Sequence, residues 1–151
     1  MKSNPSILAC LVAVAGAAAG APQWPRGFNA PQSYKGLQIT VTNAELVRGV
    51  AFPICPLKPG MVPLKPTSDH MSARVRVTIE ALPTYAGAKL ARVEVVGVDG
   101  KAFKSVSTFG DFESGKKHQC FLYFDTPTGF EFKRLQIEDL SFELADGRLH
   151  K

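Results

Sequence analysis

Hydrophobic and polar residues alternate with a period of two along most of the chain between Gly36 and Leu144. In LQITVTNAEL, Leu37, Ile39 and Val41 take one side while Gln38, Thr40 and Thr42 take the other, which predicts a strand with one wet face. ARVRVTIEAL repeats the pattern more cleanly, with Val75, Val77 and Ile79 set against Arg74, Arg76, Thr78 and Glu80. KLARVEVVGV turns Ala91, Val93 and Val95 inward, and the phase then shifts to Val96 and Val98 beside Gly97, which predicts a bulge. Asp99-Gly100 is a hairpin turn signal, because glycine tolerates positive φ. KAFKSVSTF reads as one short strand and GDFESGKK as a loop. HQCFLYFD sets Cys120, Leu122 and Phe124 against Phe121 and Tyr123. Both of its sides are apolar, which predicts a central, well-covered strand. FKRLQIEDLSFEL changes phase at Glu138-Asp139, where the strand either bulges or divides. TYAGAKLARVEVV is the best helical candidate, but its Val-rich second half and its alternation favour strand. About seven short strands separated by turns predict an all-β fold, an antiparallel β-sandwich.

Two stretches lack any period. PQWPRGFNAPQSYK, residues 22–35, carries three prolines and reads as a loose lead-in, with Trp24 and Phe28 available to dock on the domain or on a partner. FPICPLKPGMVPLKPTSDHM, residues 52–71, holds five prolines. Proline lacks a donor N–H and fixes φ, so no central strand or helix runs through it. It predicts a stiff surface crossover in which Met61, Val62 and Leu64 cover the open end of the core.

The start of the chain bears on location. Lys2, an apolar run from Ile7 to Val14, and small residues through Ala21 have the order of a secretory signal peptide. Ala17 and Ala19 place cleavage before Gly20. The apolar run is shorter than the roughly 20 residues of a membrane span. ILAC loosely matches a lipoprotein box, but only three apolar residues precede Cys10 and the longer apolar run follows it. The expected organisation is a signal peptide over 1–19, a flexible lead-in over 20–35, one sandwich domain over 36–146 with a proline-rich loop over 52–70, and a tail over 147–151. The product is expected in the periplasm or the external medium. Loss of Lys2 takes the 18 basic residues to 17 against 13 acidic ones, a net charge of +4. No dense basic block is present, which argues against nucleic acid as a partner.

After cleavage Cys55 and Cys120 are the cysteines left. In an oxidising compartment they can form one intrachain bridge, closing a loop that contributes about 4 kcal/mol by the chain-entropy model. Two buried thiols, or one reactive thiol, are the alternatives at this level.

The run VVGVDGKAFKSVSTFGDFESGKKHQCFLYFDTPTGFEFKRLQI resembles the second half of a family of small exported bacterial immunoglobulin-like domains, many of them lipoproteins or secreted antigens. The resemblance rests on a hairpin with Asp99, Gly100, Lys101 and Phe103, then Gly115, Phe124 and Pro127, then Leu135 and Ile137. KGLQITVTNAEL is similar to the family's opening strand, so the likeness covers residues 36–144 apart from the proline stretch. It implies an immunoglobulin-like sandwich. Unlike the lipoprotein members, this chain lacks a lipid-box cysteine at the end of the leader, which favours a soluble product.

Catalytic chemistry is not signalled. No G-x-S-x-G occurs, and the three histidines, His70, His118 and His150, sit in no nucleophile–base pattern. Asp99, Asp111, Asp125, Asp139 and Asp146 fall at turns or strand ends, where local backbone bonding accounts for them. Lys116, Lys117 and His118 form a local basic cluster that reads as a solvated strand entry. The function expected is therefore non-catalytic: an exported binding module for a protein or an envelope component. Phe52, Ile54, Leu57, Met61 and Leu64 on the proline scaffold, joined by Trp24 and Phe28, form the expected docking surface. A copper-binding accessory protein using Met61, His70 and Met71 is the alternative, with Cys55 also admissible as a thiolate unless it is bridged, because thiolate, thioether and imidazole suit copper. His70 and Met71 are adjacent, however, and in an extended strand would point to opposite faces. A small secreted enzyme comes third. No cofactor is expected under the first of these.

Overall fold

The computed structural model describes residues 27–63 and 71–144. They form ten strands and no helix: β1 (Gln32–Tyr34), β2 (Leu37–Arg48), β3 (Ile54–Cys55), β4 (Met71–Ala81), β5 (Val93–Gly97), β6 (Ala102–Lys104), β7 (Thr108–Phe109), β8 (Lys117–Phe124), β9 (Phe132–Ile137) and β10 (Leu140–Glu143). One antiparallel sheet has the order β1-β2-β4-β8 and a second has β10-β9-β5-β6. A small parallel pair, β3-β7, makes a third piece. The strands beyond the expected seven are short, two or three residues each in β1, β3 and β7. No helix among the described residues is long and apolar enough to cross a membrane.

The alternation decides which faces meet. Leu37, Ile39 and Val41 of β2, Ala73, Val75, Val77 and Ile79 of β4, and Cys120, Leu122 and Phe124 of β8 are buried. They share one apolar cluster with Val93 and Val95 of β5, Leu135 and Ile137 of β9 and Phe142 of β10. Two sheets with one apolar face each thus bury those faces against each other, which is the sandwich that period-two patterning predicts. Val96 is also buried, and the β5–β9 register slips between Val96 and Gly97, at the bulge read from the sequence. A second slip, between Val41 and Asn43 against β4, gave no composition signal.

The turns follow their chemistry. Gly100 has φ 84° in the β5–β6 hairpin, and the Asp99 carboxylate accepts from the Lys101 N–H at 3.0 Å. The phase change at Glu138-Asp139 divides the strand: Ile137 pairs with Leu140 across a two-residue turn in which Glu138 has φ 51°. The Glu138 carboxylate reaches back to accept from the N–H groups of Ala91 and Arg92, the latter at 2.9 Å.

Four expectations are corrected. The lead-in is docked from Gly27 onward: β1 pairs with β2, and Phe28 bridges to Val41. Its prolines hid a three-residue strand too short to show a period. Ala91 is exposed and lies before β5 begins. KAFKSVSTF is two strands, because the chain leaves β5 after the Ser105 N–H donates to Val93 O and then runs beside β8, where the Val106 N–H donates to Tyr123 O, to pair with β3. HQCFLYFD ends its sheet instead of sitting in the middle of it.

Candidate binding surface

As the last strand of its sheet, β8 keeps two apolar sides without a full strand beyond it. The carbonyls on its free edge are taken one by one. The Leu57 N–H donates to Gln119 O at 3.2 Å, Ser107 Oγ to Phe121 O at 3.3 Å, and the Val106 N–H to Tyr123 O at 2.9 Å. Ser105 Oγ also donates to Tyr123 O, and Ser107 Oγ accepts from the Tyr123 N–H at 3.1 Å. Serine hydroxyls thus stand in for the backbone of a neighbouring strand, satisfying groups that would otherwise template aggregation.

The proline stretch supplies the rest of this cover. β3 lies beside β8 and pairs with β7, with the Thr108 N–H donating to Pro53 O and the Gly110 N–H to Cys55 O. Cys55 and Cys120 form the disulfide, with their Cα atoms 5.0 Å apart and both residues fully buried. Residues 49–53 run between β2 and β3, on opposite sides of the β4–β8 pair, and Phe52 stacks on Phe121, with ring centroids 6.3 Å apart. The segment is a strap laid over the outer face of the sheet and pinned at Cys55.

On that outer face the alternation of β4 presents Arg74 and Arg76, opposite Tyr123 and Phe121 of β8. Both guanidiniums lie over the Phe121 ring, at 5.0 and 5.1 Å from its centroid. Their electrostatic situations differ. Arg74 binds the carboxylate of Glu45, its register partner on β2, with Nε–Oε1 at 3.0 Å. Burial alone weakens the hold of Arg74 on its proton, and the hydrogen-bonded Glu45 carboxylate more than reverses this, so its pKa is raised. Arg76 faces Asn43 on β2, and no hydrogen bond or ion pair engages its side chain among the described residues; its Nε is buried and unpartnered.

The expected docking residues are distributed as follows. Phe52 is half-buried against Phe121, and Leu57 and Met61 are half-buried. Met61 Sδ accepts from the Lys58 N–H at 3.2 Å. Ile54 is exposed, as is Val106, which lies two positions before Thr108, the register partner of Ile54. Phe28 packs against the core. Val62 is 78% exposed and does not cover the core, contrary to expectation. Trp24, Leu64 and His70 lie outside the described residues. Met71 is half-buried at the start of β4, paired in register with Arg48. Of the copper set, Met61 and Met71 are therefore placed, and the bonded Cys55 cannot join them as a thiolate. Among the described residues no three of His, Cys, Asp and Glu gather as a metal site.

Period-two alternation places Arg74 and Arg76 on the wet side of a strand and does not mark Phe121 as their neighbour. The signal that could have found them is an R-x-R pair and an aromatic on the same phase of strands both rich in β-formers. Two members of the local basic cluster are engaged internally: Lys116 pairs with Glu113 at 2.8 Å, and His118 Nε2 accepts from the Glu113 N–H at 3.1 Å, while Lys117 is exposed. A cavity of about 390 Å³ opens where the chain leaves β5, lined by Leu90, Arg92, Glu94, Lys104 and Phe109 among others. Its serines are committed to β8 and Arg92 is paired with Glu94 at 3.4 Å. No family model matches the chain, and no curated protein or solved structure matches it.

Proposed function

We propose that this chain is a non-catalytic exported binding module that docks a protein through the strap and the outer face of β4 and β8. The observation that carries this reading is the cluster of Phe52, Phe121, Arg74 and Arg76, continued by exposed Ile54 and Val106. Aromatic residues and arginine are the types enriched where partners bind, since they offer large area at small entropic cost. Rigidity supports it as well: the strap is held at both ends, by β2 and by the disulfide, so little freedom is lost on docking. Export fits a disulfide buried in the core, a bond that persists in oxidising compartments. Membership of the immunoglobulin-like exported family is part of the proposal. It is supported by the Asp99-Gly100 hairpin and by a chain that passes from one sheet to the other between β4 and β5 and again between β8 and β9.

The test is site-specific photo-crosslinking in the producing cells. A benzophenone side chain at Ile54 should give one discrete protein adduct. At Val98, which is more exposed at 54% against 36%, it should give none. Equal adducts at both positions would reveal mere stickiness and remove the surface from the argument.

A further inference from the structure

Resting on that docking surface, we propose that its ligand is an acidic peptide segment of the partner, with Arg76 as the residue that takes a carboxylate. Two guanidiniums share the Phe121 ring, and one of them is already neutralised. Glu45 is engaged by Arg74, and Glu80, the next carboxylate on this face of β4, stands opposite Lys117. Arg76 lies between these two positions, next to Asn43 and over the Phe121 ring, and no carboxylate among the described residues pairs with it.

Its geometry suits an anion. The ring beneath holds the guanidinium plane, so less freedom is lost per hydrogen bond formed than for a free arginine. Nε is buried, which leaves the two terminal nitrogens as the accessible fork. A carboxylate meets such a fork with two parallel N–H···O bonds, and their strength rises where an apolar neighbour excludes water. Phe52 on Phe121 supplies that neighbour. A phosphate or sulfate would satisfy the charge equally, but the apolar continuation through Ile54 and Val106 matches a polypeptide with hydrophobic side chains flanking its acid.

The experiment uses full-length protein labelled with ¹⁵N and follows the arginine Nε–Hε and backbone amide signals. The probes are N-acetylated, C-amidated triglutamate, triglutamine as the neutral control, and trigalacturonate as an acidic sugar. Triglutamate should move the Arg76 Nε–Hε and Phe121 signals saturably, and triglutamine should not. Arg76→Lys keeps the charge but loses the fork, and should weaken triglutamate binding about tenfold. Arg76→Gln should abolish it while the remaining amide spectrum stays in place. Absence of a saturable shift at Arg76, equal shifts at Arg92 and Lys104, or preference for trigalacturonate would each overturn the assignment. The Ile54 crosslink separates the two readings. If its adduct forms undiminished in the Arg76→Gln protein, the acidic ligand is wrong and the docking surface stands. If wild type gives no adduct, the docking surface itself falls.

Discussion

Phe121 concentrates the behaviour of the outer face in one side chain. Its ring is stacked by Phe52 and overlaid by two arginines, on a strand whose other face is core. Phe121→Ala is expected to cost about 1–2 kcal/mol in urea unfolding, from lost aromatic and cation–π contacts. It should also release Phe52, read as increased exchange at the strap amides. Arg74→Ala should cost more than Arg76→Ala, because it strands a half-buried Glu45 carboxylate where the other change breaks no ion pair. Gly36 marks a different constraint. It has φ 82°, and a Cβ there would fall 2.5 Å from the backbone nitrogen of Tyr85. Gly36→Ala is therefore expected to destabilise by more than about 2 kcal/mol, as measured by the urea midpoint. The phases of Val75, Val77 and Ile79 were legible because burial follows alternation. The pairing of Arg76 with Phe121 was not, since cross-strand register is set by bulges and turns that a single strand does not display.

At the level of elements, the covered edge of β8 is the feature on which the surface is built. Ser107 Oγ both donates to Phe121 O and accepts from the Tyr123 N–H, the two bonds a paired residue would make. Ser107→Ala removes both and leaves partly buried backbone groups unpaired, at a cost of about 1–3 kcal/mol. Amide exchange should quicken at Tyr123 and remain slow at Val77 in the middle of β4. The sequence showed an apolar strand here but gave the wrong reason for it. Phe121 and Tyr123 are covered by the strap and by a chain that switches sheets, and neither is periodic. The Gly97 bulge was readable because the hydrophobic phase visibly slips from Val95 to Val96. The bulge at Val41–Asn43 falls among polar residues, so no hydrophobic phase records it.

For the whole molecule, two layers with one shared core are closed along one side by the β3–β7 pair and the Cys55–Cys120 bond. The bond spans 65 residues of sequence. Replacing both cysteines with alanine should lower stability by about 4 kcal/mol at most, as read from urea unfolding of the wild type and the double variant. Sequence arithmetic offered this pairing together with free-thiol alternatives, and the fold chooses it because β3 is delivered to the edge of β8. A strap pinned across β8 is what makes the Phe52–Phe121–Arg76 surface exist, and export is what the proposed function adds to it, so the most direct test is a non-reducing peptide map of the protein recovered from outside the cytoplasm of its own cells. The expected result is one linked pair of peptides carrying Cys55 and Cys120, with a new amino terminus at Gly20. Free thiols at both positions, on a chain that still begins at Met1, would contradict it.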